Sequence, residues 1–231
     1  MRTAAILPVK SFARAKQRLG TSVPDQLRLQ LARAMVADVL LALAQTKSIE
    51  RTIVVTCEQS VALPAREQGV IVLDDVAESG QSAAAALGAQ WALAEGIERV
   101  LCVPGDCPAL DPVELETLLH ANAGAPDAEP IVVIVPDRHG TGTNGLLLSP
   151  PDAITPSFGP DSCERHRALA LAAGMAVRVQ RPSSLLLDID TGADLAALRE
   201  RLAGLDARAP RTRSVLGQPE RVNVLPLTTP V

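Results

Sequence analysis

The chain has 231 residues, of which 47% are hydrophobic and 21% charged, and its formal net charge is −4. This length suits one α/β domain or two small ones, and the apolar content argues against global disorder. The acidic balance and an aromatic content of only 1% argue against a nucleic-acid partner, because such proteins use basic surfaces and stacking platforms.

Neither a targeting segment nor a membrane span is recognisable in the sequence. The apolar stretch after Arg2 is too short for a signal segment, and the one near residues 36–44 is interrupted by Asp38. We therefore expect a soluble, cytoplasmic protein with no membrane partner. The four cysteines contain no CxxC pair, so we expect free thiols in a reducing compartment.

Strand and helix signals alternate along the chain, which predicts an α/β fold with a mainly parallel twisted sheet. We assign residues 1–205 to one domain and 206–231 to a C-terminal tail, which is loosely ordered apart from a candidate edge strand at 222–227. Strands are predicted at 3–9, 51–56, 70–73, 100–103, 131–135, 145–149, 176–179 and 185–187, the sixth of these as a candidate antiparallel strand. Helices are predicted at 25–45, from the residues after Ser82 to about Glu95, and at 113–121, 163–173 and 193–205.

Asp106 stands where a buried strand has ended and the next helix has not begun. The apolar run 100–103 is stopped by Pro104 and Gly105. In open α/β sheets ligands bind at the carboxyl ends of the strands, so Asp106 is a candidate Mg²⁺ ligand. The alternative is a turn aspartate that bonds only its own backbone.

Asp188 and Asp190 follow the predicted strand 185–187 and flank Ile189. Residues two apart in a strand point to the same face, so the two carboxylates are expected to project together. Such a pair is costly unless a cation lies between them. In the alternative interpretation, Asp190 or Thr191 caps the following helix.

Three further segments are candidate anion sites. The basic segment 10–20 has four cations and no acid, which suits either a triphosphate clamp or a solvated loop. The Gly/Thr-rich turn 136–144 could form a nest of backbone N–H groups. Residues 158–162 precede a helix whose N-terminus could bind an anion, although Asp161 and Ser162 could simply cap it. His166, one turn into that helix, could touch a bound acid, but a solvated surface position is favoured.

Together these features indicate an enzyme that aligns two anions around Mg²⁺ without a covalent nucleophile. No Ser-His or Cys-His pair is recognisable, and the three histidines lack metal-ligand spacing.

Five motifs occurring in order over residues 3–202 resemble the CofC/FbiD guanylyltransferases of coenzyme F420 biosynthesis, within the MobA-like nucleotidyltransferase fold. The motifs are Pro8–Lys10 with 13–19, Pro104–Pro108, Gly140–Asn144, Phe158–Ser162 with His166, and Asp188–Thr191. The resemblance implies a Rossmann-like single domain with helices on both faces of the sheet.

The resemblance also implies a Mg²⁺-dependent reaction. The phosphate of a three-carbon phospho-acid attacks the α-phosphorus of GTP, pyrophosphate leaves, and the product passes to the next transferase of the F420 pathway. The acceptor is phosphoenolpyruvate, 2-phospho-L-lactate or 3-phospho-D-glycerate. Two other hypotheses stay open: a cytidylyl or molybdopterin-type transferase of the same fold, and a nucleotide-binding module without turnover.

Residue roles carry over by position. Thr143, Gly159 and Ser162 match the residues that hold the phospho-acid, and Asp106, Asp188 and Asp190 match the metal ligands. Lys10 and Lys16 match the basic loop at the GTP phosphates and, with Asp106, the catalytic set; Val9, Ser82 and Pro104 complete the implied nucleotide contacts. The chain departs from the family at Gln81-Ser82, where Leu-Asn is usual and the Asn contacts the nucleotide.

Overall fold

The strands of the protein form one seven-stranded sheet in the computed structural model, which describes residues 1–12, 24–121, 130–203 and 208–217. The strand order across this sheet is β3-β2-β1-β4-β6-β5-β7. The strands are β1 (Thr3–Val9), β2 (Arg51–Thr56), β3 (Ile71–Asp74), β4 (Arg99–Cys102), β5 (Ile131–Pro136), β6 (Thr143–Ser149) and β7 (Ala176–Val179).

Only β6 runs against its neighbours in the described part of the sheet. It is antiparallel to both β4 and β5, whereas the pairs β1–β2, β1–β4, β2–β3 and β5–β7 are parallel. The prediction of an antiparallel strand at residues 145–149 is therefore confirmed.

Helices cover both faces of the sheet. They are α1 (Asp25–Gln45), α2 (Gln59–Glu67), α3 (Gln81–Ala94), α4 (Pro112–Ala121), α5 (Ser162–Ala172), α6 (Gly192–Ala203) and α7 (Pro210–Leu216). One apolar core joins the sheet to α1, α2 and α4, and a second joins the opposite face to α3 and α5. A third cluster packs α6 and α7 against the start of α1. These layers confirm the predicted mainly parallel α/β fold.

The predicted strand at 185–187 is wrong. A 3₁₀ helix, Ser183–Leu185, occupies its start. The Glu114 carboxylate accepts hydrogen bonds from Ser183 Oγ and Ser184 N–H, both at 2.7 Å, which stabilises a helical turn instead of an extended chain. The apolar Leu run remains buried only in part, and it pairs with no strand among the described residues.

Two short helices were not predicted from the sequence. Helix α2 contains Pro64, and α7 lies in the segment assigned to the tail. The expectation of loose order does not apply to residues 208–217, because the buried Asp38 carboxylate accepts the N–H groups of Arg211 and Thr212 at 3.1 and 2.7 Å. The candidate edge strand at 222–227 lies outside the described residues. Within the part of the chain that is described, no helix combines the length and apolarity needed to cross a bilayer.

Candidate active site

A cavity of about 300 Å³ opens at the edge of the sheet where the parallel strands end. Strands β1 and β4 are neighbours although they are distant in sequence, which creates the kind of crevice where α/β sheets bind ligands. Because β6 is antiparallel, its first residues reach the same edge. The cavity is lined by Pro8, Val9, Lys10, Phe12, Ala32, Met35, Val36, Gln81, Pro104, Gly105, Asp106, Thr143, Asn144, Asp188 and Asp190.

The three predicted metal-binding carboxylates all line this cavity. Asp106 follows β4, and the segment carrying Asp188 and Asp190 runs beside it because the Ile189 N–H donates to the Asp106 carbonyl at 3.1 Å. Ile189 is fully buried, as predicted, so the aspartates on either side of it are held at the cavity wall. The expected grouping therefore arises from an irregular segment and not from a strand.

Asn144 is a site residue to which the sequence assigned no separate role. Its Nδ2 donates to Asp188 Oδ1 at 3.1 Å and to the Leu185 carbonyl at 2.9 Å, and the side chain is buried. Asn144 thus fixes the position of one carboxylate of the acidic group.

The pKa of Asp188 is raised above its ordinary value, first by burial and then by the nearby Asp106 carboxylate, while the Asn144 hydrogen bond opposes the rise. A cation in the cavity would offset both causes. The described residues contain no ready-made group of three acidic, His or Cys side chains at metal-ligand distances. Mg²⁺ typically uses one or two carboxylates together with substrate phosphates and water, so this donor set fits Mg²⁺ bound with a nucleotide.

Thr191, one of the two predicted capping candidates, caps α6. Thr191 Oγ1 accepts the Asp194 N–H at 3.3 Å, and Asp194 accepts the Thr191 N–H at 2.7 Å, so Thr191 and Asp194 form the capping box. Asp190, the residue before Thr191, lines the cavity.

Some of the residues predicted to contact the nucleotide line the cavity, and others do not. Val9, Lys10 and Pro104 line the cavity, whereas Lys16 lies outside the described residues. Gln81 lines the cavity but Ser82 does not. The Ser82 hydroxyl instead accepts the Phe158 N–H at 2.8 Å, so Ser82 holds the loop that precedes α5.

Of the three predicted phospho-acid residues, Thr143 lines the cavity, whereas Gly159 and Ser162 do not. Gly159 has φ +115°, a conformation that favours glycine, and its carbonyl accepts the Ser162 N–H at 3.2 Å. The Ser162 Oγ is buried and has no hydrogen-bond partner in the described part of the protein. A buried hydroxyl without a partner is uncommon in folded proteins and is often found where a ligand or water binds.

Two sequence expectations about backbone donors need correction. In the Gly/Thr turn the Thr141 N–H donates to the Asp137 carboxylate at 3.0 Å, so the chain itself supplies an anion to part of the expected nest. At the start of α5 the Cys163 N–H donates to the Thr141 carbonyl at 3.0 Å. Asp161, at φ +56°, makes no side-chain capping bond. These contacts join the turn to the helix and occupy part of the backbone donors that the sequence had offered to an anion.

The sequence favoured a solvated surface position for His166, and this prediction is wrong. His166 is fully buried, its Nδ1 lies 3.0 Å from Thr143 Oγ1, and its Nε2 accepts the Ser157 N–H at 2.8 Å. Burial, with a smaller contribution from the Arg165 charge, lowers the pKa of His166 to about 4.

Comparison with known families decides the relationship. The family model described as "Guanylyl transferase CofC like" matches residues 3–209. The chain belongs to the CofC-like guanylyl transferase family. The phosphoenolpyruvate guanylyltransferase of Conexibacter woesei is 49% identical over 224 residues, covering 96% of this chain and 99% of that protein. The protein of the same name from Streptomyces coelicolor is 35% identical, with 84% and 89% covered.

Solved structures support the same fold at low sequence identity. A nucleotidyl transferase from Methanothermobacter thermautotroptrophicus has a TM-score of 0.61 at 18% identity, with 87% of this chain and 98% of that chain covered. A CMP:2-keto-3-deoxy-manno-octonic acid synthetase complexed with CTP has a TM-score of 0.59 at 13% identity, with 88% and 99% covered. The CofC-like protein is therefore a nucleotidyltransferase of the guanylyl class built on a shared α/β scaffold.

Proposed function

We propose that this CofC-like enzyme is a Mg²⁺-dependent phosphoenolpyruvate guanylyltransferase of coenzyme F420 biosynthesis. The observation that carries the proposal is the joining of three carboxylates, Asp106, Asp188 and Asp190, with Lys10 and Thr143 around one cavity at the sheet edge. The names of the relatives support phosphoenolpyruvate over the other two acceptors that the sequence resemblance implies.

The reaction is one substitution at phosphorus. An oxygen of the acceptor phosphate forms a bond to the α-phosphorus of GTP, and the bond from that phosphorus to the bridging oxygen breaks. The electron pair leaves with pyrophosphate, giving a guanosine diphosphate diester. Because the attacking phosphate is already anionic, no protein nucleophile or general base is needed, and alignment and charge neutralisation dominate.

Each side of the cavity has a part in this scheme. Asp106, Asp188 and Asp190 would hold Mg²⁺, which when bound would neutralise the triphosphate and favour departure of pyrophosphate. Lys10 is exposed at the cavity and supplies positive charge for the phosphates. Thr143, together with Ser162 and Gly159, would receive the acceptor. The product would pass to the next transferase of the pathway.

The test is a matrix of nucleotides and acceptors. GTP, CTP, ATP or UTP is incubated with Mg²⁺ and with phosphoenolpyruvate, 2-phospho-L-lactate or 3-phospho-D-glycerate, and the adduct is identified by mass. We expect a guanylylated product with phosphoenolpyruvate and pyrophosphate release only when all three components are present. Preference for CTP, or turnover unchanged by a metal chelator, would contradict the proposal.

A matched pair of variants locates the reaction. Asp106→Asn removes one carboxylate charge from the cavity and should abolish turnover while leaving the unfolding midpoint near that of the wild type. Asp152→Asn makes the same chemical change at an exposed position away from the cavity and should retain full turnover. Equal turnover of the two variants would remove Asp106 from the site.

A further inference from the structure

The buried His166 ring joins two parts of the acceptor side of the cavity. Its Nδ1 meets Thr143 Oγ1 at the start of β6, and its Nε2 meets the Ser157 N–H in the loop that precedes α5. The Phe158 ring packs edge-on against it with ring centroids 5.1 Å apart. The residue thus contacts both the Thr143 strand and the loop that carries Gly159.

The hydrogen-bond partners determine where the imidazole proton lies. A backbone N–H can only donate, so Nε2 must accept and carry no proton. In a neutral ring the proton is then on Nδ1, which donates to Thr143 Oγ1. A second proton, on Nε2, would point at the Ser157 N–H, and two donors repel each other. Burial also disfavours the charged ring, because it lowers the pKa of His166.

The direction of the Thr143 hydroxyl follows from this assignment. Because Oγ1 accepts from His166, its own hydrogen must point elsewhere, and no second partner of this hydroxyl is found among the described residues. Thr143 lies on the cavity wall together with Asp106 and Asp188. The free donor is therefore available to an anion in the cavity.

We propose that His166 is a positioning residue, which holds the Thr143 hydroxyl as a donor to the phospho-acid and fixes the loop at Ser157. This inference rests on the proposed function, since it takes Thr143 to contact the acceptor. His166 acts through Thr143 and does not serve as a base, because Nε2 is already occupied by a backbone donor.

Two amide substitutions separate the two contacts of the ring. In His166→Asn the amide stands near the place of Nδ1 and can still donate to Thr143, but the Ser157 contact is lost. In His166→Gln the amide oxygen stands near the place of Nε2 and can accept from Ser157, but Thr143 loses its donor. We expect His166→Gln to raise the KM for the phospho-acid about tenfold, as for a lost well-oriented hydrogen bond, with the KM for GTP unchanged. His166→Asn should raise the acceptor KM less than His166→Gln does.

A double-mutant cycle tests whether His166 acts through Thr143. In a Thr143→Val background, His166→Gln should change the acceptor KM by less than about twofold, because the hydroxyl it directs is gone. Equal effects in the two backgrounds, or a wild-type acceptor KM in His166→Gln, would overturn the inference. If the wild type transfers GMP to none of the phospho-acids, the proposed function fails instead.

A spectroscopic measurement on the wild type keeps the inference testable even if a variant does not fold. The chain has three histidines, so long-range ¹⁵N–¹H correlation spectra can resolve and assign each ring. At pH 7 we expect His166 to show a protonated Nδ1 and an unprotonated Nε2. A protonated Nε2, in either the other tautomer or the imidazolium, would overturn the proposed hydroxyl direction.

Discussion

Acid should destabilise this enzyme through His166 as the pH falls from 6.5 toward 4. The folded-state pKa of His166 is lowered from 6.5 to about 4 by burial and by the Arg165 charge. Below pH 6.5 the unfolded chain takes up a proton on this residue, whereas the folded chain does so only near pH 4. The stabilisation is therefore fully present above pH 6.5 and is lost as the pH falls toward 4.

The magnitude follows from the two pKa values. The range between them covers about 2.5 pH units, and each unit corresponds to about 1.4 kcal/mol, so the loss approaches about 3 kcal/mol. Glu58, Glu114 and Glu116 have pKa values below their ordinary 4.5, so the stability they contribute is lost only at lower pH. Asp188, whose pKa is raised, acts in the opposite direction.

The assay compares wild type and His166→Gln by urea unfolding at steps from pH 7.5 to pH 4.5. Groups common to both proteins cancel in the difference between the two pH profiles. Over this range the free energy of unfolding of the wild type should fall by about 2 to 3 kcal/mol more than that of the variant. Parallel profiles would refute the reasoning, because they would show that His166 titrates alike in the folded and unfolded chain.

Three further substitutions have defined outcomes. Asn144→Leu should lower turnover about tenfold in the guanylyl transfer assay, because Asp188 loses its amide donor. Gly88→Ala should reduce the free energy of unfolding by about 1 to 2 kcal/mol in urea, because its Cβ would stand 2.7 Å from Ile6 Cγ2 and overpacking outweighs the helix propensity of Ala. Asp38→Ala should cost about 3 kcal/mol of unfolding free energy, measured in the same way, by removing two backbone hydrogen bonds at the start of α7, yet leave the KM for GTP unchanged.

The sequence predicts the parts of the fold that depend on local pattern. Short apolar runs, several of them β-branched, locate the strands from β1 to β7, and Pro104 with Gly105 places Asp106 at a strand end. The strand predicted at 185–187 failed because the Glu114 carboxylate, from a helix far away in sequence, holds Ser183 and Ser184 in a helical turn. Helix α2 escaped prediction because it is short and contains a proline.

The sequence predicted the parts of the site in which the residue type itself indicates the chemistry, as carboxylates indicate a metal ion. Carboxylates that follow apolar runs pointed to the acidic side of the cavity, and the structure brings all three to its wall. The burial of His166 was not predictable, because it depends on Thr143 and Ser157 meeting across the fold. The backbone donors of the Gly/Thr turn are partly taken by Asp137, a contact that composition does not reveal.

The departure at Gln81-Ser82 changes which side chain lies at the cavity. The resemblance implies a nucleotide-contacting amide at the position of Ser82, but in this chain the amide belongs to Gln81, which lines the cavity. The shorter Ser82 side chain instead accepts the Phe158 N–H, at the loop that His166 holds through Ser157. The start of α3 is thereby joined to the loop that precedes α5. The loop has these two separate attachments, so losing one should shift it less than losing both. We therefore expect a substitution at Ser82 to displace the loop more when His166 is also replaced than when His166 is intact.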